Sequence, residues 1–136
     1  MKTSQQLVAE AKAVIQEVSI TQFAEYLAKR PEPRLIDVRE SAEFSQGHIL
    51  GAVNYPRGVL EMQLANHPAV AANGCSAELA LTQLASEPLY LICRSGARSA
   101  LAAESLQKMG FTQVFSVAGG MQAWLEAGYP VQHERG

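Results

Sequence analysis

The chain has 136 residues, enough for one domain with a core that needs no metal or disulfide support. Hydrophobic residues at 48% and charged residues at 18% exclude a disordered chain. Eleven basic against thirteen acidic residues leave a net charge of −2, so no global positive field attracts nucleic acid or an anionic membrane, and any anion site must be local. The spacing of Leu7, Val8, Ala11, Val14, Ile15 and Val18 predicts an amphipathic helix over residues 4–18. Glu10 and Lys12 interrupt this segment, whereas a secretory leader needs about 7–15 uninterrupted apolar residues. Nothing later approaches the ~20 apolar residues of a membrane span. Thr21 is placed to cap a second helix through Lys29, with Phe23 and Leu27 inward and Pro31 and Pro33 stopping it.

Arg34 to Val38 reads as a buried strand, Glu40 to Ser45 as a helical turn ending near Gly47, and Ala52 to Tyr55 as a second strand stopped by Pro56. Residues 57–87 are irregular: helix is expected over Gly58–Ala65 and again from a Ser76 cap to about Ala85, with Leu79, Leu81 and Leu84 apolar. Leu89 to Cys93 forms an apolar run of strand length. A helix over 97–109 follows, with Ala102, Leu106 and Met109 on one face and Gly110 closing it. Val114 to Val117 is another strand. Met121 to Ala127 is a helix that buries Trp124 and Leu125. Strands alternating with helices imply an α/β domain: a parallel sheet covered on both faces, preceded by an extra N-terminal helix. The division expected is residues 1–19 for the extension and 20–132 for the domain.

The chemistry concentrates in Cys93-Arg94-Ser95-Gly96-Ala97-Arg98-Ser99. A tight loop from a strand's C-terminus into a helix directs several backbone N–H groups at one point, and Gly96 permits a left-handed turn there. The helix end and the two arginines add positive charge, so Cys93 is expected to be a thiolate at neutral pH. A cysteine after four apolar residues is more often an inert core residue. Two arginines, two serines and a glycine in the next six positions do not line a core, and they favour an anion-handling nucleophile.

This loop resembles the active-site loop of the rhodanese family of sulfurtransferases. Asp37-Val38-Arg39, Glu43-Phe44 and Gly47-His48-Ile49-x-Gly51-Ala52-x-Asn54-x-Pro56 are similar to that family's N-terminal signature. Gly110-Phe111, Val114 and Gly119-Gly120-Met121-x-Ala123-Trp124 are similar to its C-terminal signature. The likeness covers residues ~20–130 and is to single-domain members, some of which share the stretch Pro56 to Glu61. It implies a rhodanese-like three-layer fold with a five-stranded parallel sheet, and ping-pong transfer of sulfur through a Cys93 persulfide. Thiosulfate or a similar small molecule would be the donor. Cyanide in assay, a cellular thiol or a protein would be the acceptor, with no cofactor and no metal. Arg94, Ser95, Gly96, Ala97, Arg98 and Ser99 would form the substrate-binding loop.

Two rival readings use the same residues. A cysteine phosphatase or arsenate reductase also has a cysteine in an anion loop, but its signature is one residue longer than the four residues between Cys93 and Arg98. A non-catalytic module that senses sulfur or binds a partner is the other, and modules of that kind often lack the cysteine. Asp37 and Arg39, at a strand's C-terminal end, either orient the loop by pairing with Arg98 or knit neighbouring loops together, the second being favoured. Arg57 either rims the pocket or is an ordinary exposed arginine. His48 reads as a hydrogen-bonded structural histidine, and Cys75 as a small residue rather than a resolving thiol. Two cysteines cannot make a secreted disulfide framework, which points to a cytoplasmic location.

Overall fold

The computed structural model describes residues 1–71 and 76–133. Along the chain run α1 (Ser4–Val14), β1 (Gln16–Val18), α2 (Ile20–Ala28), β2 (Leu35–Asp37), α3 (Ser41–Gln46) and β3 (Val53–Asn54). Short turns follow: a 3-10 turn at Arg57–Val59, α4 (Leu60–Gln63), a second 3-10 turn at Leu64–Asn66 and α5 (Pro68–Ala71). Then come α6 (Ala77–Leu84), β4 (Leu89–Ile92), α7 (Ala97–Met109), β5 (Val114–Val117) and α8 (Gly120–Glu126).

The five strands form one parallel sheet in the order β1-β5-β4-β2-β3. Because side chains alternate across a strand, the sheet has two apolar faces. Ile36, Leu89, Leu91 and Val114 meet Leu84, Ala102 and Leu106 on one side. Leu35, Ile92 and Val117 meet Phe23, Met121 and Trp124 on the other. These layers are the α/β architecture expected, and they bury all of β2 and most of β4 and β5. β4 lies mid-sheet, so its C-terminal end opens where loops from both faces converge.

Three expectations are corrected. The N-terminal helix ends at Val14, not at residue 18, and Gln16–Val18 pairs with Phe115–Val117 as an edge strand. α1 packs on α7, with Ala11 buried and Val8 and the following Ile15 half-buried, while Leu7 and Val14 stay exposed. The cap of α2 is Ser19 rather than Thr21: its hydroxyl accepts from Gln22 N–H and the Gln22 side chain accepts from Ser19 N–H, a reciprocal capping box. Leu79, Met109 and Leu125 are exposed, and the buried positions of their helices are instead Ala80 and Leu84, Leu106, and Trp124. Ser76 does cap α6, through Leu79 N–H. Among the described residues no helix is long and apolar enough to cross a membrane.

Candidate active site

Cys93 follows directly on β4 and is 1% exposed. The chain then reverses at Gly96, whose φ of +100° is in the left-handed region that glycine tolerates. This turn brings Gly96 N–H back to within 3.1 Å of Cys93 Sγ. Ser99 N–H, in the first turn of α7, donates to the same sulfur at 3.4 Å. Helix N-termini leave such groups without intrahelical acceptors, so the sulfur completes the helix end. Two backbone donors and the positive end of α7 converge on that atom. Ser99 Oγ lies 3.5 Å from Sγ and 2.7 Å from Ser116 Oγ.

The outer side of the loop is held by α8. Met121 N–H donates to the Cys93 carbonyl at 2.8 Å and Gln122 N–H to the Arg94 carbonyl at 2.9 Å. This contact requires glycine at position 120, where a Cβ would fall 2.3 Å from Cys93 O and 2.8 Å from Arg94 C and O. The Gly119-Gly120 pair ahead of a helix was the sequence signal for this buttress, but its contact with the Cys93 loop was not legible there.

The arginines divide by partner. Arg98 makes a two-pronged ion pair with Glu43 of α3, at 2.7 and 3.0 Å. Hydrogen bonding to Arg98 holds the Glu43 carboxyl down to about 2 from its ordinary value of 4.5, and the same bond raises Arg98. Asp37, fully buried, takes Arg39 through the backbone N–H and the guanidinium at 2.8–3.1 Å. Arg39 also donates to Gly47 O, and Asn54 bridges to Asp37 O and Arg39 O. Asp37 and Arg39 therefore knit the loops after β2 and β3, and Asp37 does not pair with Arg98. Arg57 pairs with Glu61, which also accepts from Ser105.

Arg94 and Ser95 are exposed, and among the described residues the Arg94 side chain has no hydrogen bond or ion pair. Arg94 lines an open cleft of about 570 Å³ beside the loop, together with Gln46, Met121, Gln122, Leu125 and His133. The free cation thus faces the space from which a small anion would approach. Arg57 does not line this cleft. His48 is structural: Nδ1 lies 2.9 Å from Phe44 O and the ring stacks on Phe44 at 3.8 Å. Cys75 lies outside the described residues. No group of three His, Cys, Asp or Glu that could hold a metal converges among the described residues.

The fold and this loop define a parallel α/β domain that presents a cysteine at the C-terminal edge of its sheet, inside a turn whose backbone N–H groups point at its sulfur. The chain belongs to the rhodanese-like domain family, whose model matches residues 19–127. It is 35% identical over 109 residues to the human thiosulfate:glutathione sulfurtransferase, covering 80% of this chain and 92% of that protein. It is 31% identical over 116 residues to a Bacillus subtilis protein named as a candidate sulfur carrier (YrkF), covering 85% of this chain but only 54% of that longer protein. Among solved structures it resembles a Rhodopseudomonas palustris protein of unknown function described as a candidate tyrosine phosphatase. That match has a TM-score of 0.76 and 25% identity, and it covers 97% and 96% of the two chains.

Proposed function

We propose that the chain is a sulfurtransferase that carries sulfane sulfur from thiosulfate, or a donor like it, to a thiophilic acceptor through a Cys93 persulfide. The observation that carries this reading is the setting of Cys93 Sγ, which accepts two backbone N–H groups at the start of α7. The Cys93 thiolate attacks the outer sulfur of thiosulfate. A new S–S bond forms, the S–S bond of thiosulfate breaks, and sulfite leaves with its electron pair. Three negative charges enter and three remain, one on the persulfide and two on sulfite. An acceptor such as cyanide or a thiolate then attacks the outer persulfide sulfur, restoring the Cys93 thiolate and releasing thiocyanate or a new persulfide.

Backbone donors fixed in advance suit this chemistry, because they stabilise charge on sulfur without reorganising during the step. Arg94 offsets repulsion between a dianionic donor and the nucleophile, while Arg98, held by Glu43, keeps the loop in shape. Ser95, Gly96, Ala97 and Ser99 complete the anion-binding turn. The route needs no cofactor. The acceptor is a small thiol or a protein thiol, and the cytoplasm, where thiols stay reduced, is the compartment this chemistry fits.

The phosphatase reading has a structural neighbour described in those terms. Against it stand the four-residue spacing and the engagement of Arg98 by both oxygens of Glu43, which takes up the guanidinium a phosphoryl group would need. The test is paired turnover: thiocyanate from thiosulfate and cyanide, and phosphate release from p-nitrophenyl phosphate. Cys93-dependent thiocyanate alone supports sulfur transfer. Cys93-dependent phosphate release without thiocyanate overturns it.

A further inference from the structure

Beyond α8 the chain turns at Gly128 and runs back along the loop after α3 as a short strap, residues 129–133, past residue 127 where the family match ends. Trp124 Nε1–H donates to Pro130 O at 2.9 Å. His48 N–H donates to Gln132 O at 2.8 Å, and Gln132 N–H donates to His48 O at 2.7 Å. A Cβ on Gly47 would fall 3.5 Å from both His133 Cε1 and Val131 Cγ2, so these two side chains lie over that glycine. Both also line the cleft that holds Arg94. His133 is exposed, and among the described residues its ring has no hydrogen bond or ion pair.

Thiosulfate brings two negative charges and a set of sulfonate oxygens that need donors once water is displaced. Among the charged residues of the cleft, Arg39 is held by Asp37 and Glu43 by Arg98, which leaves Arg94 to meet the anion. The other side chains there that can donate are Gln46, Gln122 and His133. Each glutamine must freeze three torsions to do so, whereas the imidazole has two, and the His133 backbone adjoins the Gln132–His48 bridge. His133 therefore loses the least freedom on binding. Its ring presents at least one N–H whichever nitrogen carries the hydrogen. We infer that His133 binds the sulfur donor: together with Arg94 it holds the sulfonate oxygens of thiosulfate while the outer sulfur meets Cys93. The strap thereby selects donors that carry an oxyanion. The inference deepens the sulfur-transfer reading and rests on it.

Thiosulfate binding to Cys93→Ser, which cannot take up sulfur, tests it by NMR titration of the Gly96 and Ser99 amide signals at constant ionic strength. His133→Asn keeps an N–H donor and His133→Leu removes it. In that background His133→Leu should raise the Kd for thiosulfate about 3–10-fold relative to His133→Asn, the range expected for one hydrogen bond. With Cys93 present, His133→Leu should raise KM for thiosulfate by a similar factor and leave kcat within about 2-fold of that of His133→Asn. Equal Kd values for the two variants would overturn the inference, as would a loss confined to kcat. Absence of thiosulfate binding to Cys93→Ser would also overturn it, while thiocyanate production by the wild type would leave sulfur transfer standing. A protein that shows the binding pattern but makes no thiocyanate would uphold the site and refute the sulfur-transfer reading.

Discussion

Gly120→Ala places one methyl group against the outside of the Cys93 loop. Alanine at a φ of +53° costs about 1–2 kcal/mol relative to glycine. Its Cβ would lie 2.3 Å from Cys93 O, where ordinary contact begins at 3.4 Å, so the carbonyl must retreat by about 1 Å. The atoms in the way are backbone and cannot rotate aside. Retreat stretches the bonds from Met121 N–H and Gln122 N–H to the loop, each worth about 0.5–1.5 kcal/mol. The sum is roughly 2–5 kcal/mol of stability. A nucleophile displaced by about 1 Å loses on the order of 10²-fold in rate. Gly110→Ala is the control: it has a φ of +112°, nothing lies within 4 Å of its Cβ, and it is far from the loop in the chain. It should lose about 1–3 kcal/mol to backbone strain and keep its activity. Urea unfolding and kcat/KM for thiosulfate, measured on both variants, separate the two effects. A Gly120→Ala protein whose kcat/KM stays within about 2-fold of that of Gly110→Ala would refute the claim that α8 positions the nucleophile.

Arg94→Ala should raise KM for thiosulfate by roughly 1–3 kcal/mol, about 5–150-fold, with the melting temperature nearly unchanged because its side chain holds nothing else. The gap from wild type should narrow as salt is added, and equal kinetics at low salt would show that the backbone alone handles the anion. Glu43→Gln addresses acid stability. The folded carboxyl is held at about 2 against an ordinary 4.5, so its contribution is fully present above about pH 4.5 and is lost as pH falls toward 2. Glu43 is about a third exposed, so solvent screens the pair. Denaturant midpoints should differ between wild type and Glu43→Gln above that window and converge below it. Parallel curves throughout would remove Glu43 from the acid response.

The Cys93 loop was legible because its signals are local: an apolar run, a cysteine, a glycine and charged residues within a few positions. The sheet was legible for the same reason, since Leu35–Asp37, Leu89–Ile92 and Val114–Val117 each read as a short apolar run. β1 was not, because Ile15 and Val18 continue the helical spacing of the preceding segment and only pairing with β5 decides the matter. The cap of α2 is legible in the Ser19-x-x-Gln22 spacing, a capping-box signal two residues ahead of Thr21. The pairing of Arg98 with Glu43 rather than Asp37 is set by geometry, 55 residues apart in the chain. Gly120 gave no warning of its place against the loop, because its contact is with Cys93, more than fifteen residues away in the chain.

The central claim is that Cys93 carries sulfur as a covalent persulfide, and intact-protein mass spectrometry after thiosulfate treatment without acceptor tests it most directly. Wild type and Cys75→Ser should each gain the mass of one sulfur atom and lose it on addition of cyanide, while Cys93→Ser should gain nothing. A wild-type protein that stays at its original mass, or a Cys93→Ser protein that gains the sulfur, would contradict the account.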